Sequence, residues 1–226
     1  VVTLVEPSTS SGFVDRFLVT AEAYGVPTTL LFNKVDVLLQ LGEEAEDLLA
    51  SWMPMYSEAG YECLPISAKE GIGLDEVRTR MQGGIHLVSG HSGVGKSTLL
   101  NALIPGLDQK TAEVSDVHDK GRHTTTFAEM FPMPENNGGF IIDTPGIKGF
   151  GLVRIEKETL HHHFPEMFRL LPGCKFHNCR HLDEPGCAVT GALETGEVDD
   201  ERYRNYRNMV AEFDEGPYRA GVSRGA

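Results

Sequence analysis

The stretch that decides the fold of this 226-residue chain is Gly90-His91-Ser92-Gly93-Val94-Gly95-Lys96-Ser97. It fits the pattern G-x-x-x-x-G-K-[ST]; an apolar stretch over 85–88 that predicts a strand precedes it, and a helical pattern follows it. Glycines allow successive backbone N–H groups to surround a phosphate, and the helix N-terminus adds partial positive charge. The strand and the helix argue against a chance glycine-rich turn. We therefore predict a phosphate-binding loop.

Within this loop the lysine and the serine have distinct expected roles. Lys96 can reach the β- and γ-phosphates of a nucleotide, and the Ser97 hydroxyl can ligate Mg²⁺. The residues that we expect to contact the nucleotide here are Gly90, Ser92, Gly93, Val94, Gly95, Lys96, Ser97 and Thr98.

Two short motifs upstream indicate which base is bound. Asn33-Lys34-Val35-Asp36 follows one apolar run, and Ser67-Ala68-Lys69 follows another. The Asp36 carboxylate can accept from N1–H and the exocyclic amine of guanine, whereas adenine offers an acceptor at N1 and no amine at C2. A buried carboxylate left unpaired by the wrong base discriminates by roughly 10⁴-fold or more. We therefore predict GTP and GDP as ligands, with Asn33, Lys34, Asp36, Ser67, Ala68 and Lys69 around the base.

Two motifs downstream predict the metal and γ-phosphate contacts. A strand over 140–142 ends in Asp143-Thr144-Pro145-Gly146, where Asp143 would hold Mg²⁺ through a water and the Gly146 N–H would touch the γ-phosphate. Before it lies Gly121-Arg122-His123-Thr124-Thr125-Thr126. We expect Thr125 to complete the Mg²⁺ shell, with Thr124 as the next choice. The threonines could alternatively be ordinary strand formers.

Each motif lies at the carboxyl end of a predicted strand, which is where doubly wound α/β sheets bind ligands. The base motifs precede the phosphate loop, and the two switch motifs follow it, whereas the usual guanine-nucleotide domain begins with the phosphate loop. In these motifs the chain resembles the RsgA (YjeQ) GTPases, circularly permuted factors of bacterial small-subunit maturation. The resemblance implies a circularly permuted P-loop GTPase domain with a mostly parallel sheet. Family members carry an N-terminal OB-fold, so we expect this sequence to be a fragment.

A cysteine cluster near the C-terminus predicts a metal site. Cys174, Cys179, His181 and Cys187 lie within 14 residues. Three thiolates and one imidazole suit a closed, structural, tetrahedral Zn²⁺ site. The cluster holds three of the four cysteines, which makes paired disulfides awkward. His177 could compete as the nitrogen ligand, and the resemblance favours His181.

The remaining candidates in this region have simpler interpretations. Cys63 is expected to be a small buried core residue. The run His161-His162-His163 is expected to be a solvated helix face with one ring packed, because adjacent histidines on a helix point in different directions.

The C-terminal part reads as a helical domain around the metal site. We predict helices over 158–171 and 199–213, and a domain division into 1–151 and 152–226. So short a segment buries little core, and a zinc ion would compensate for this. The last helix carries arginines and tyrosines that could contact RNA, namely Arg202, Tyr203, Arg204, Tyr206 and Arg207. Alternatively it presents a solvent face, with Tyr203 and Tyr206 packed on the core.

Composition limits the partners. A net charge of −13 argues against a nonspecific nucleic-acid binder, and no apolar run reaches the length of a membrane span. The resemblance implies the small ribosomal subunit and its rRNA as partners, a cytoplasmic location and a monomer. The implied function is a GTP hydrolase stimulated by the small subunit that acts as a checkpoint in its late maturation. The alternative is a GTP-dependent binding module with incidental hydrolysis.

Catalysis is the least complete part of the pattern. Ras-type enzymes place a water-positioning glutamine just after the D-x-x-G motif, where this chain has Ile147. We therefore expect slow intrinsic hydrolysis, at ~10⁻⁴ to 10⁻² s⁻¹. We expect Lys96 and His123 to be catalytic, the latter as the water-positioning group; His123 could instead be a solvated loop residue.

Overall fold

The structure, a computed structural model, describes residues 1–107, 109, 128–134, 138–144 and 155–215. These residues form two compact units. The first unit lies within Val1–Ser10, Thr28–Ser57 and Tyr61–Phe150, and the second within Ser11–Pro27, Glu58–Gly60 and Gly151–Ala226. Among the described helices, none combines the length and the hydropathy that a membrane crossing requires.

Among the described residues of the first unit, five short strands form the sheets. They are β1 (Thr29–Phe32), β2 (Glu62–Pro65), β3 (Ile85–Val88), β4 (Glu129–Pro132) and β5 (Phe140–Asp143). β1 pairs with β2 in parallel, and Val2 adds a parallel bridge to Phe32. The other sheet has the order β3-β5-β4, in which β3 and β5 are parallel and β4 is antiparallel to β5. The mostly parallel α/β pairing that the motif order predicted is confirmed.

In the described part of this unit, four helices accompany these strands. They are α2 (Val35–Leu41), α3 (Glu43–Ala59), α4 (Leu74–Arg80) and α5 (Lys96–Leu103). The apolar side chains of α4 and α5 pack with the buried residues of β2, β3 and β5 in one core cluster. Its members include Leu64, Leu74, Val77, Val88, Leu99, Leu100, Leu103 and Ile141. This packing fixes the carboxyl ends of the strands, from which the predicted site residues emerge.

The second unit is helical. Its elements are α1 (Ser11–Ala23), a 3₁₀ segment (Lys157–His163), α6 (Pro165–Leu170), a second 3₁₀ turn (Leu171–Gly173), α7 (Ala188–Thr195) and α8 (Asp200–Glu215). The predicted continuous helix over 158–171 is therefore wrong. Phe164 is extended, with φ −114° and ψ 97°, because the following Pro165 disfavours the helical conformation of its predecessor. Helix α8 agrees with the prediction, and the Asp199 side chain caps it by accepting from the N–H groups of Glu201 and Arg202.

Helix α1 packs in the second unit, although the sequence division placed it in the first domain. Its Val19 joins a core that also contains Leu160, Phe164, Met167 and Tyr206. Residues 11–27 therefore group with the C-terminal helices. The predicted boundary near residue 151 lies outside the described residues and stays a prediction.

A buried ionic network joins three helices of this unit. The Arg202 guanidinium donates to both carboxylate oxygens of Glu166, from Nε at 2.9 Å and Nη2 at 3.0 Å, and also to Asp15. Asn205 donates to the other oxygen of Asp15 at 2.7 Å. All four side chains are buried. The interpretation of Arg202 as an RNA contact is therefore wrong, because its donors are committed inside the core.

Candidate nucleotide site and metal centre

The phosphate loop closes around its own lysine. Lys96 is the first residue of α5, and its Nζ donates to the carbonyl oxygens of Gly90 at 2.7 Å and His91 at 2.8 Å. Burial lowers the pKa of Lys96, and the negative charge of Asp143 acts in the opposite direction. The loop thus holds a buried cation at the start of a helix, which is an arrangement that favours a bound anion.

Asn33 connects three loops of the site. Its Nδ2 donates to the Val94 carbonyl at 2.8 Å, and its Oδ1 accepts from the Ala68 N–H at 2.9 Å. Gly95 has φ +91°, and a Cβ there would lie 2.4 Å from Asn33 Nδ2. Asn33 therefore ties the two base motifs to the phosphate loop, and only glycine fits beside it. The motif alone does not distinguish this bridging role from a direct contact with the base.

Asp36 offers an acceptor to a ligand. Its Oδ1 is buried and has no hydrogen-bond partner among the described residues. Because such an atom is costly to leave unpaired, it fits a ligand that supplies a donor, as guanine does. Nearby, Lys34 donates from Nζ to the Glu6 carbonyl, and burial lowers the pKa of Lys34 against the opposing charges of Glu6 and Asp36.

The second base loop is shaped by Ser67. The fully buried Ser67 accepts the Glu70 N–H at its hydroxyl at 3.1 Å, and its own N–H donates to the Ile72 carbonyl at 3.0 Å. Lys69 is largely exposed, 3.7 Å from the Glu70 carboxylate. The loop is therefore held by its backbone, while the lysine side chain projects into solvent where a base could pack against it.

Two described residues are predicted to hold Mg²⁺, Ser97 directly and Asp143 through a water, and both offer the oxygen atoms that this ion prefers. Asp143 is buried at the end of β5, and Ser97 is half-buried in the first turn of α5. Gln109 donates from Nε2 to Asp143 Oδ2 at 3.3 Å and is itself held by two hydrogen bonds with Asn101. Gln109 belongs to no recognised sequence motif, so its contact with Asp143 could not be predicted from the sequence. His123, Thr124, Thr125, Gly146 and Ile147 lie outside the described residues, and their roles stay predictions.

The four predicted zinc ligands converge. The Sγ atoms of Cys174, Cys179 and Cys187 and a ring nitrogen of His181 all lie within 4.8 Å of one another. His181 Nδ1 is 3.4 Å from Cys187 Sγ and 3.6 Å from Cys174 Sγ, so Nδ1 faces the centre. His177 is exposed and is not a member of the cluster. Three soft sulfurs and one nitrogen around a common point fit a structural zinc ion.

The protein positions these ligands, and in the absence of a cation it favours the protonated thiol at Cys179. Burial, together with the neighbouring Cys187 and Cys174, raises the pKa of Cys179 to about 12. A bound cation would reverse this preference, because metal ligation requires the thiolate. The Ala188 N–H donates to Cys174 Sγ at 3.3 Å. All four cysteines of the chain are free thiols.

Two tyrosines of α8 support the metal loop. Tyr203 donates its O–H to the His181 carbonyl at 2.7 Å, and Tyr206 donates to the Arg180 carbonyl. The interpretation that they pack on the core is confirmed for both. The histidine run lies in a 3₁₀ segment and agrees with the expectation of a solvated face with one packed ring: His162 is exposed, and His161 is buried with its ring centroid 5.0 Å from that of His181.

Comparisons with known proteins agree with this arrangement. The model of the family described as RsgA GTPase matches residues 1–153. The small ribosomal subunit biogenesis GTPase RsgA of Bacteroides fragilis is 52% identical over 220 residues, which cover 97% of this chain and 69% of that relative. The protein of the same name from Christiangramia forsetii is 50% identical over 218 residues, covering 96% and 67%.

Solved structures show the same architecture. The crystal structure of YjeQ from Thermotoga maritima superposes with a TM-score of 0.79 at 36% identity and covers 97% of this chain and 70% of its own. YloQ, described as a circularly permuted GTPase, gives a TM-score of 0.73 at 29% identity, with coverage of 96% and 67%. The permuted motif order is thus shared with solved proteins. From the family match and the 52% identical relative, this chain belongs to the RsgA GTPase family.

Proposed function

We propose that this chain hydrolyses GTP with the help of Mg²⁺ and acts in the maturation of the small ribosomal subunit. The observation that supports guanine as the base is the buried Asp36 Oδ1, which lacks a hydrogen-bond partner among the described residues. Asn33, in the same N-K-x-D motif, joins this motif to the phosphate loop. Guanine supplies two donors to such a carboxylate, and adenine supplies none in the same positions. The relatives' names support the ribosomal assignment.

The proposed nucleotide site runs from the base motifs to the end of β5. Lys34, Asp36 and the loop of Ser67, Ala68 and Lys69 hold the guanine. The phosphate-contacting residues are those of the loop itself, namely Gly90, Ser92, Gly93, Val94, Gly95, Lys96, Ser97 and Thr98. Ser97 and Thr125 would ligate Mg²⁺ directly, and Asp143 would hold it through a water. The Gly146 N–H would contact the γ-phosphate. Bound Mg²⁺ neutralises charge on the β- and γ-phosphates.

The reaction transfers the γ-phosphoryl group to water. The water oxygen forms a bond to the γ-phosphorus, and the bond between that phosphorus and the β–γ bridging oxygen breaks. Negative charge develops on the leaving GDP, where Lys96 and the loop N–H groups stabilise it. His123 orients the attacking water in this proposal. Because Ile147 cannot do so, hydrolysis depends on a partner that brings His123 to the γ-phosphate.

The proposed metal centre holds one zinc ion per chain. Cys174, Cys179, His181 and Cys187 would hold the ion, and four protein ligands would leave no open position for a substrate. The role is structural, because the ion joins the loop after the second 3₁₀ turn to the N-terminus of α7. The ribosomal partner is the small subunit with its rRNA. Because the chain has a net charge of −13, we expect it to contact the RNA through a limited part of its surface. We expect a monomer that works in the cytoplasm, where ribosomal subunits assemble.

The test is GTP turnover by the chain alone, with small subunits and with large subunits, using Lys96→Ala as the blank. Stimulation by small subunits alone is the expected result. Wild-type turnover equal to that of Lys96→Ala would contradict the GTPase assignment. Turnover that neither subunit changes would contradict a ribosome-dependent switch within these residues.

A further inference from the structure

The ring of His91, in the phosphate loop, contacts both the side chain of Thr9, which is distant in sequence, and the backbone of its own loop. Its Nδ1 lies 3.0 Å from the Ser92 carbonyl oxygen, and its Nε2 lies 2.6 Å from Thr9 Oγ1. Because a carbonyl only accepts, Nδ1 carries the hydrogen and donates it. In the neutral ring Nε2 must then accept, so Thr9 donates its O–H. The two bonds form a directed relay from Thr9 through the imidazole to Ser92.

The surroundings allow the relay only this direction. Thr9 is 2% exposed, and its Oγ1 also accepts the Thr3 N–H at 3.2 Å, so the hydroxyl hydrogen is left to point at His91. Burial lowers the pKa of His91 below its ordinary value, and the nearby Lys96 ammonium acts in the same direction, against the hydrogen bond to Ser92. The ring is therefore neutral near pH 7, as the relay requires.

The relay fixes one peptide group of the phosphate loop. In a trans peptide the carbonyl and the following N–H point in opposite directions. A Ser92 carbonyl turned to the imidazole therefore turns the Gly93 N–H away from it. Gly93 has φ +85°, and a Cβ there would lie 3.2 Å from Pro7 Cδ. The phosphate loop therefore contacts one segment on both sides of the Ser92–Gly93 peptide, through His91 with Thr9 and through Gly93 beside Pro7.

That segment, residues 3–9, is closed into a loop by two internal hydrogen bonds. The Thr9 N–H donates to the Thr3 carbonyl at 2.8 Å, and Thr3 Oγ1 donates to the Pro7 carbonyl at 2.6 Å. Its Glu6 carbonyl accepts from Lys34 of the base motif. Segment 3–9 therefore touches both the phosphate loop and the base loop, although it contains none of the recognised nucleotide motifs.

We propose that segment 3–9 is a positioning element of the nucleotide site, and that it acts through the relay from Thr9 and His91 to the Ser92–Gly93 peptide. The inference rests on the proposed nucleotide function. The relay presents the Gly93 N–H to the phosphates before a nucleotide arrives, which removes an ordering cost from binding. Thr9 and His91 are positioning residues and need not touch the nucleotide.

The test compares two near-isosteric changes at Thr9. Thr9→Val keeps the volume and loses the O–H donor, whereas Thr9→Ser keeps the donor. The dissociation constant of a fluorescent GDP is measured for both in the presence of Mg²⁺, together with the melting temperature of the nucleotide-free protein. We expect Thr9→Val to weaken GDP binding about fivefold and Thr9→Ser to stay within about twofold, as for the loss of one hydrogen bond.

A double variant separates the relay from simple packing. His91→Ala should weaken binding about as much as Thr9→Val, and adding Thr9→Val to it should cause no further loss, because both changes break the same relay. Additive losses would overturn the proposal. A lowered melting temperature with unchanged GDP affinity would also overturn it, since it would assign Thr9 a structural role only. If wild type binds GDP no better than Lys96→Ala, the proposed function itself fails.

Discussion

Asp15 and Arg202 form a buried ion pair across 187 positions of the sequence, between a helix near the start of the chain and the last helix. Both side chains are essentially inaccessible to solvent. Glu166 shares the same guanidinium through two further hydrogen bonds. The three-helix arrangement of the second unit therefore depends on charges that only Arg202 neutralises within the described part of the network.

Replacing this arginine should be severely destabilising. Arg202→Met leaves two buried carboxylates without their cation, and breaking a buried ion pair from one side costs about 3–5 kcal/mol. Urea unfolding monitored by circular dichroism measures the change in the free energy of unfolding. Arg204→Met, on the same helix, is the matched control: its pair with Glu201 is exposed, so the expected loss is below about 1 kcal/mol. Equal losses for the two variants would show that the buried network carries no special stability.

A single substitution should change the base that the site accepts. In Asp36→Asn one carboxylate oxygen becomes an amide donor, which opposes the exocyclic amine of guanine but suits the C2 carbonyl of xanthine. We expect GDP affinity to fall by roughly 10²-fold or more, and xanthosine diphosphate to become the better ligand. Competition against a fluorescent GDP measures both affinities. The control is Asp75→Asn, at a surface aspartate that pairs with Arg78, and it should change neither affinity. Retained guanine preference in Asp36→Asn would remove the basis for base recognition by Asp36.

Two histidines of the metal loop should respond differently to mutation. His181→Ala removes the only nitrogen ligand of the cluster, whereas His177→Ala changes an exposed side chain of the same loop. We expect about one zinc per chain for wild type and His177→Ala, and markedly less for His181→Ala, by elemental analysis. Chelation should also lower the melting temperature of the second unit, because ligand binding to the native state stabilises it. Full zinc content in His181→Ala would rule out His181 as a ligand.

What the sequence predicts well are features that recur locally. The phosphate loop and the Asp36 motif follow apolar strands, and the zinc ligands share one short loop. The residues next to each of these features in the sequence are therefore sufficient to predict it. Asn33 differs: its type fits the motif, but its bonds to Val94 and Ala68 exist only once three loops meet. Arg202 shows the same limit, because an arginine on an amphipathic helix is normally solvated, and its burial depends on distant Asp15.

The interruption of the helix before α6 was, by contrast, readable from the sequence. Pro165 disfavours a helical Phe164, and the apolar periodicity over 158–171 concealed this break because a 3₁₀ segment and an α-helix both bury one face. The membership of α1 in the second unit had no such signal. Val19 and Asp15 select their partners by packing and charge far along the chain, which no local pattern encodes.

The one cysteine outside the metal cluster should be chemically silent in the folded protein. Burial, reinforced by the neighbouring Glu62, raises the pKa of Cys63 to about 12. The thiolate is the reactive form of cysteine, so at pH 8 nearly all Cys63 is the unreactive thiol. We expect zinc-loaded wild type to react with Ellman's reagent only slowly. Against the effect of burial, hydrogen bonds with Thr190 lower the pKa of Cys187, so chelation should release a fast-reacting thiol there. Cys179, whose pKa is raised to about 12, should stay slow for the same reason as Cys63. Cys63→Ala should show the same fast phase after chelation and lose only one of the thiols that appear on unfolding in guanidinium. Cys63 is half-buried, so the prediction rests on its raised pKa. A fast-reacting thiol in the zinc-loaded protein that Cys63→Ala abolishes would contradict this raised pKa, because only a thiol with an ordinary pKa reacts quickly at pH 8.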